Sequence, residues 1–194
     1  MKQGSSLAGS SKIYDREKHD FYATNPQSVR DLLDIADIDG EHFYEPCVGQ
    51  GHIADVLKEY FPKAKVLGSD IVDRGYPNTL VKDFLNSENN LKTDWIITNP
   101  PFKYAKEFIE ESLRVSYKGV AMFLKIQFLE GQARKEFFAN TPLKYVYVFS
   151  KRQDPMRDGL ELNPETGKKW GGTTCFAWFV WEHGYFGEPT IKWI

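Results

Sequence analysis

The chain has 194 residues, 41% of them hydrophobic and 15% aromatic, which suits a compact globular core and excludes a disordered chain. Its formal net charge is −2, so no global field announces a nucleic-acid partner, and any such binding has to rest on a local patch. Two cysteines without CxxC spacing argue against a disulfide scaffold and for a reduced, cytoplasmic protein; the four histidines have no metal-ligand spacing, and no apolar run approaches the ~20 residues of a membrane helix.

Taken in order, the Gly/Ser-rich start reads as a flexible arm over residues 1–13, and the charged residues 14–20 as surface. Asn25 is placed to cap a helix with Pro26 at its first position and Val29, Leu32, Leu33 and Ala36 on its apolar face; Gly40 reads as its stop. Residues 42–45 form a short strand, a Gly-bearing turn runs to Gly51, and a helix follows with Ile53, Val56, Leu57 and Tyr60 on one side. Strands are expected at residues 66–68 and 80–81, running into Asp70 and Asp83. Another, at 95–98, feeds Asn99-Pro100-Pro101-Phe102 and a helix with Ala105, Phe108, Ile109 and Leu113 inward. Gly119 reads as the break before a buried strand at 120–124, followed by a helix near 130–139. Two further apolar runs, 145–149 and 175–181, have a polar connection but no helix between them, which predicts an antiparallel hairpin at one edge.

Strands alternating with helices imply a mostly parallel α/β sheet, whose ligands sit beyond the carboxyl ends of the strands. Glu45 to Gly51, Asp70, Asp83 and Asn99 all fall there. Gly49-x-Gly51-x-x-Ala54, with Asp70 19 residues after Gly51, fits a nucleoside cofactor whose ribose meets a carboxylate; alone, the motif is equally a tight strand-to-helix turn. Glu45-Pro46 before the turn favours S-adenosylmethionine (SAM) over a dinucleotide, because a carboxylate there pairs with a cationic amino-acid head and repels a pyrophosphate. In the Asn-Pro-Pro loop both prolines fix φ and lack an N–H. The Asn99 side-chain oxygen and the Pro100 carbonyl are therefore available to accept the hydrogens of an exocyclic amino group, with Phe102 offering a flat face to a base.

Together, Tyr22-Ala23-Thr24-Asn25-Pro26, Glu45-Pro46-Cys47-Val48-Gly49-Gln50-Gly51, Ser69-Asp70-Ile71, Lys82-Asp83-Phe84 and Thr98-Asn99-Pro100-Pro101-Phe102 resemble the motifs of amino-methyltransferases, in the same order. The resemblance is to N6-adenine DNA methyltransferases, particularly small phage- and prophage-encoded ones, and runs over about residues 15–194. It implies a Rossmann-like class I methyltransferase fold: a mostly parallel seven-stranded sheet, helices on both faces, one domain over residues 14–194. By the same resemblance, Asn99, Pro100, Pro101 and Phe102 are catalytic, and Glu45, Pro46, Gly49 and Gly51 line the methionine end of SAM. Asp70 with Ile71 meets the ribose, Asp83 and Phe84 the adenine, and Tyr22 and Thr24 close over the cofactor. The chain departs from the pattern in having Thr24-Asn25-Pro26 where Thr-Pro is common, and no large target-recognition domain is expected. DNA is the expected partner, with no membrane and no metal.

Residues 151–173 are the candidate substrate-contacting insertion, with Lys151, Arg152 and Trp170 among its basic and aromatic residues; Lys125 lies near the site if the strand order is as expected. Cys47 reads as structural. Asn-Pro-Pro-aromatic loops also resemble those of RNA adenine and protein glutamine methyltransferases. An NAD-type oxidoreductase and an inactive binding module are the remaining alternatives.

Overall fold

The apolar runs picked out above lie in strands and the 3.6-residue patterns in helices, with Ala36, Phe149 and Cys175 falling just outside the elements expected to hold them. The computed structural model describes residues 22–86, 91–153, 156–157, 159–169 and 174–194. The arm at 1–13, the charged residues 14–20 and Trp170 lie outside the described residues. The order is β1 (Tyr22–Ala23), α1 (Pro26–Leu33), β2 (His42–Glu45), α2 (His52–Tyr60), β3 (Lys65–Asp70), β4 (Leu80–Val81) and β5 (Thr93–Thr98). Then come a 3-10 turn (Phe102–Tyr104), α3 (Ala105–Val115), β6 (Ser116–Lys125), a second 3-10 turn (Ile126–Leu129), α4 (Gln132–Ala139), β7 (Leu143–Val148), β8 (Met156–Arg157), β9 (Phe176–Glu182) and β10 (Thr190–Trp193).

One sheet runs β10-β7-β9-β6-β5-β2-β3-β4, and β1 pairs separately with β8. Strands β4, β3, β2, β5 and β6 are mutually parallel; β9 is antiparallel to both β6 and β7. Side chains alternate across the sheet, as the pleat requires. Tyr44, Ile96, Val120, Met122 and Phe179 pack with Phe108 and Ile109 of α3 and Phe137 of α4. Phe43, Trp95, Ile97, Ala121 and Trp178 pack with Val29 and Leu32 of α1 and Val56 and Leu57 of α2. Helices therefore cover both faces. The buried Trp178 ring donates from Nε1 to the Ser28 carbonyl at 2.8 Å, which pins α1 to β9.

Several local expectations change. The sheet has eight strands and not seven, because β10 adds itself to β7 in parallel. The expected edge hairpin is antiparallel, but β9 lies inside the sheet. Ala177 to Trp181 are all essentially unexposed, so this strand needs cover on both faces, and the exposed β10 takes the edge instead. Gly119 does not end a helix; α3 stops at Val115 and Gly119 sits within β6. A Cβ there would lie 2.4 Å from the Trp181 carbonyl oxygen and 2.6 Å from the Trp95 ring, so glycine is what lets strand and ring approach. Gly40 is likewise no stop: α1 ends at Leu33, and the Asp34 N–H donates back to the Arg30 carbonyl. Asn25 does cap α1, its Oδ1 accepting from the Gln27 N–H at 2.9 Å.

Candidate active site

The turn after β2 is built from backbone donors and two left-handed glycines. The Val48 N–H donates to the Ser69 carbonyl at 2.8 Å, and the Gly49 N–H to Asp70 Oδ2 at 2.9 Å. The other Asp70 oxygen accepts the Val72 N–H at 3.1 Å. Each carboxylate oxygen retains acceptor capacity for a further donor, such as a hydroxyl. Gly49 and Gly51 have φ of 54° and 90°, which side chains disfavour, and a Cβ on Gly51 would sit 2.0 Å from the Tyr76 ring.

Glu45 lies at the end of β2, only 2% exposed, with Oε2 lacking any hydrogen-bond partner among the described residues. Burial raises its carboxyl well above the ordinary value; the facing Ala54 amide in the first turn of α2 opposes this, and the charges of Asp70 and Asp55 add to it. Thr24, 4% exposed, also has a hydroxyl without a partner among the described residues. Buried polar atoms left unpaired are costly, so both positions fit a ligand that brings a cation to Glu45 and a polar group to Thr24. The residues present thus fit SAM, whose amino-acid end carries an ammonium group that could meet Glu45. Pro46 is buried beneath the turn and Ile71 is half exposed beside it.

Asp83 and Phe84 are drawn inward. The Asp83 carboxylate accepts from the Leu85 N–H at 3.0 Å and from Asn86 Nδ2 at 2.5 Å, closing a local turn. Phe84 is 2% exposed, its ring in the core against Tyr44 and Phe108. The Phe84 ring thus faces the core beside β4, and Asp83 is the member of the pair nearer the surface.

Across the sheet edge, Asn99 follows β5. Its Nδ2 donates to the Tyr22 carbonyl at 3.1 Å, and no described donor reaches its Oδ1 or the Pro100 carbonyl. Pro100 is buried and Pro101 exposed, so the loop is anchored at one proline and open at the next. Phe102 is half-buried, 5.8 Å from the Phe176 ring, with Lys125 Nζ 4.9 Å from its centroid. Lys125 thus joins the Asn-Pro-Pro-Phe loop. Lys151 and Arg152 are exposed just past β7.

Sequence reasoning missed what closes over the glycine turn. Tyr76 donates to Asp55 at 2.6 Å and accepts from Lys58 Nζ at 2.8 Å, and burial together with Asp55 raises its hydroxyl pKa. The residues after β7 return over the site: β8 pairs with β1, Ser28 Oγ donates to Gln153 at 2.5 Å, and Gly159 packs directly on Gln50. Two-residue strands more than a hundred residues apart carry no local periodicity, so nothing in the sequence marked this pair. Burial and the neighbouring Asp70 push the Cys47 thiol well up, which keeps it protonated and structural. Among the described residues no helix is long and apolar enough to cross a membrane.

No protein-family model and no curated protein sequence matches the chain. Solved structures do. The modification subunit of a putative type I restriction enzyme from Vibrio vulnificus superposes with a TM-score of 0.61 at 14% identity, over 92% of this chain and 48% of that one. This chain thus spans about half the length of that subunit. A putative RNA methyltransferase from Pyrococcus horikoshii gives 0.60 at 15% identity, over 83% and 85% of the two chains. Magnesium protoporphyrin IX methyltransferase from Synechocystis, solved with bound SAM, gives 0.52 at 12% identity, over 81% and 78%. At such identities the likeness is one of fold, and with the strand order above it gives this chain the Rossmann-like methyltransferase fold.

Proposed function

We propose that the chain binds SAM over the Gly49–Gly51 turn and methylates the exocyclic N6 amino group of adenine in DNA. The observation that carries this is the state of Asn99: its amide nitrogen is committed to the Tyr22 carbonyl, leaving Oδ1 and the Pro100 carbonyl as two acceptors that meet no donor among the described residues.

Two acceptors on the amino hydrogens draw the nitrogen out of conjugation with its ring and localise its lone pair. Bound SAM would supply an electrophilic methyl group, its S–C bond breaking as the N–C bond forms and leaving the neutral thioether S-adenosylhomocysteine, so the protein's contribution is mainly orientation. Glu45 would pair with the ammonium group of the cofactor, Asp70 and Ile71 would meet its ribose and Asp83 its adenine, while Tyr22 and Thr24 would close over it. No base has to act before attack, because the amino nitrogen becomes acidic only once it carries the methyl group; the Asn99 and Pro100 oxygens hold the proton until it leaves to water. Phe102 stacks on the target base as Lys125 swings aside. A base within a duplex has to be flipped to reach this loop.

Asn99→Ala tests the assignment. The variant should lose at least about a hundredfold in methyl transfer to adenine-containing DNA, the usual scale for removing one preorganised polar contact, while SAM affinity measured by calorimetry stays close to that of the unaltered protein. Near-normal methylation by Asn99→Ala would sink the reading.

A further inference from the structure

The carboxyl edge of the sheet is divided. On one half, β2, β3 and β4 lead into acids: Glu45, Asp70 and Asp83. On the other half, β5, β6 and β7 lead into aromatics and cations. Phe102 and Lys103 follow β5, Lys125 ends β6, and Phe149 and Lys151 follow β7. The antiparallel β9 starts at this same edge with Phe176, which pairs with Lys125. Acids follow close behind, Glu107 after Lys103, Glu130 after Lys125 and Asp154 after Lys151, so the basic character is confined to the strand ends themselves.

The rings form a row. Phe102 lies 5.8 Å from Phe176, which stacks on Phe123 at 5.0 Å and 15°, and Phe149 meets Phe123 edge-on at 5.9 Å. Phe123 is buried and backs the row, whereas Phe102, Phe176 and Phe149 are each only half-buried. Successive strands sit about 4.8 Å apart, so the row extends about 14 Å from β5 across β6 and β9 to β7. Exposed lysines flank both ends. Aromatic faces in series beside cations are the means by which proteins hold unpaired nucleotides, since every base has a face to stack and every linkage a charge.

We propose that Phe102, Phe176 and Phe149, flanked by Lys125 and Lys151, form a track for a single DNA strand leading away from the target adenine. The proposal rests on the methyltransferase reading above for its direction, and it names the substrate more closely: nucleotides next to the target are held unpaired, so single-stranded DNA binds more tightly than the same sequence in a duplex.

Fluorescence anisotropy on the full chain with a short labelled oligodeoxynucleotide, single-stranded and duplex, tests it. Phe149→Leu keeps an apolar side chain against Phe123 but removes the stacking face, and should weaken single-strand binding by about fivefold or more, whereas Phe149→Tyr restores it. Lys151→Glu, at an exposed position, should weaken binding and lower the salt dependence by roughly one counterion. Single-strand affinity unchanged in Phe149→Leu and Lys151→Glu, or lowered equally by Leu and Tyr, would overturn the track; so would tighter ring-dependent binding of RNA than of DNA. Methyl transfer is followed in the same samples. Transfer with no effect of these variants on binding overturns the track alone, and ring-dependent binding without transfer to any nucleic acid overturns the methyltransferase reading alone.

Discussion

Glu45 is the residue on which the proposed cofactor binding turns. Its carboxyl lies buried with one oxygen unpartnered, and burial holds it well above the ordinary 4.5. A carboxyl whose folded pKa exceeds its unfolded value binds its proton more tightly in the folded chain. The ligand-free protein should therefore be most stable, with respect to this group, below about pH 4.5, and should lose that contribution as pH rises through the raised value. Glu45→Gln removes the ionisation. Scanning fluorimetry should find the variant's Tm higher than that of the parent on the alkaline side of this window, while calorimetry finds SAM binding weaker by roughly tenfold to a hundredfold, the worth of a charge-assisted bond. Equal pH dependence of the two Tm curves, or unaltered affinity, would mean that Glu45 does not take the cationic head. The acid itself was legible in the sequence because Glu45-Pro46 stands directly before the glycine turn. Its unpartnered oxygen was not, since that depends on what Ala54 and Asp70 leave unsatisfied in three dimensions.

At the scale of the element, β6 shows how a strand can be both legible and misread. Its apolar run was plain, but Gly119 looked like punctuation after a helix. The structure makes it a contact point, where the β9 backbone and the Trp95 ring come too near for any side chain. Gly119→Ala should destabilise the fold by about 1–3 kcal/mol through overpacking, read from urea unfolding at constant m-value. A neutral substitution would mean that β9 and Trp95 yield easily there. The same element-level reasoning explains β10 and the β1–β8 pair. Both are short, neither alternates strongly, and their partners lie at a distance in sequence, so no window of local pattern could have marked them. The helices, by contrast, were readable from their 3.6-residue apolar faces, and α1 down to its cap at Asn25.

For the molecule as a whole, strand order converts scattered motifs into one edge. Sequence spacing alone put Glu45, Asp70, Asp83 and Asn99 at strand ends; the sheet puts the acidic ends together on β2, β3 and β4, and the aromatic and basic ends together on β5, β6, β9 and β7. The segment after β7 then folds back through β8 onto β1 and the glycine turn, so the two halves share one cover. With net charge near zero, the basic half is the local patch that the proposed polyanion would meet. The most direct test of this division of labour is to incubate the protein with methyl-labelled SAM and adenine-containing DNA, digest the DNA to nucleosides and locate the label. Label in N6-methyladenine is the predicted result, and label on another base, on RNA or protein alone, or on nothing at all would contradict it.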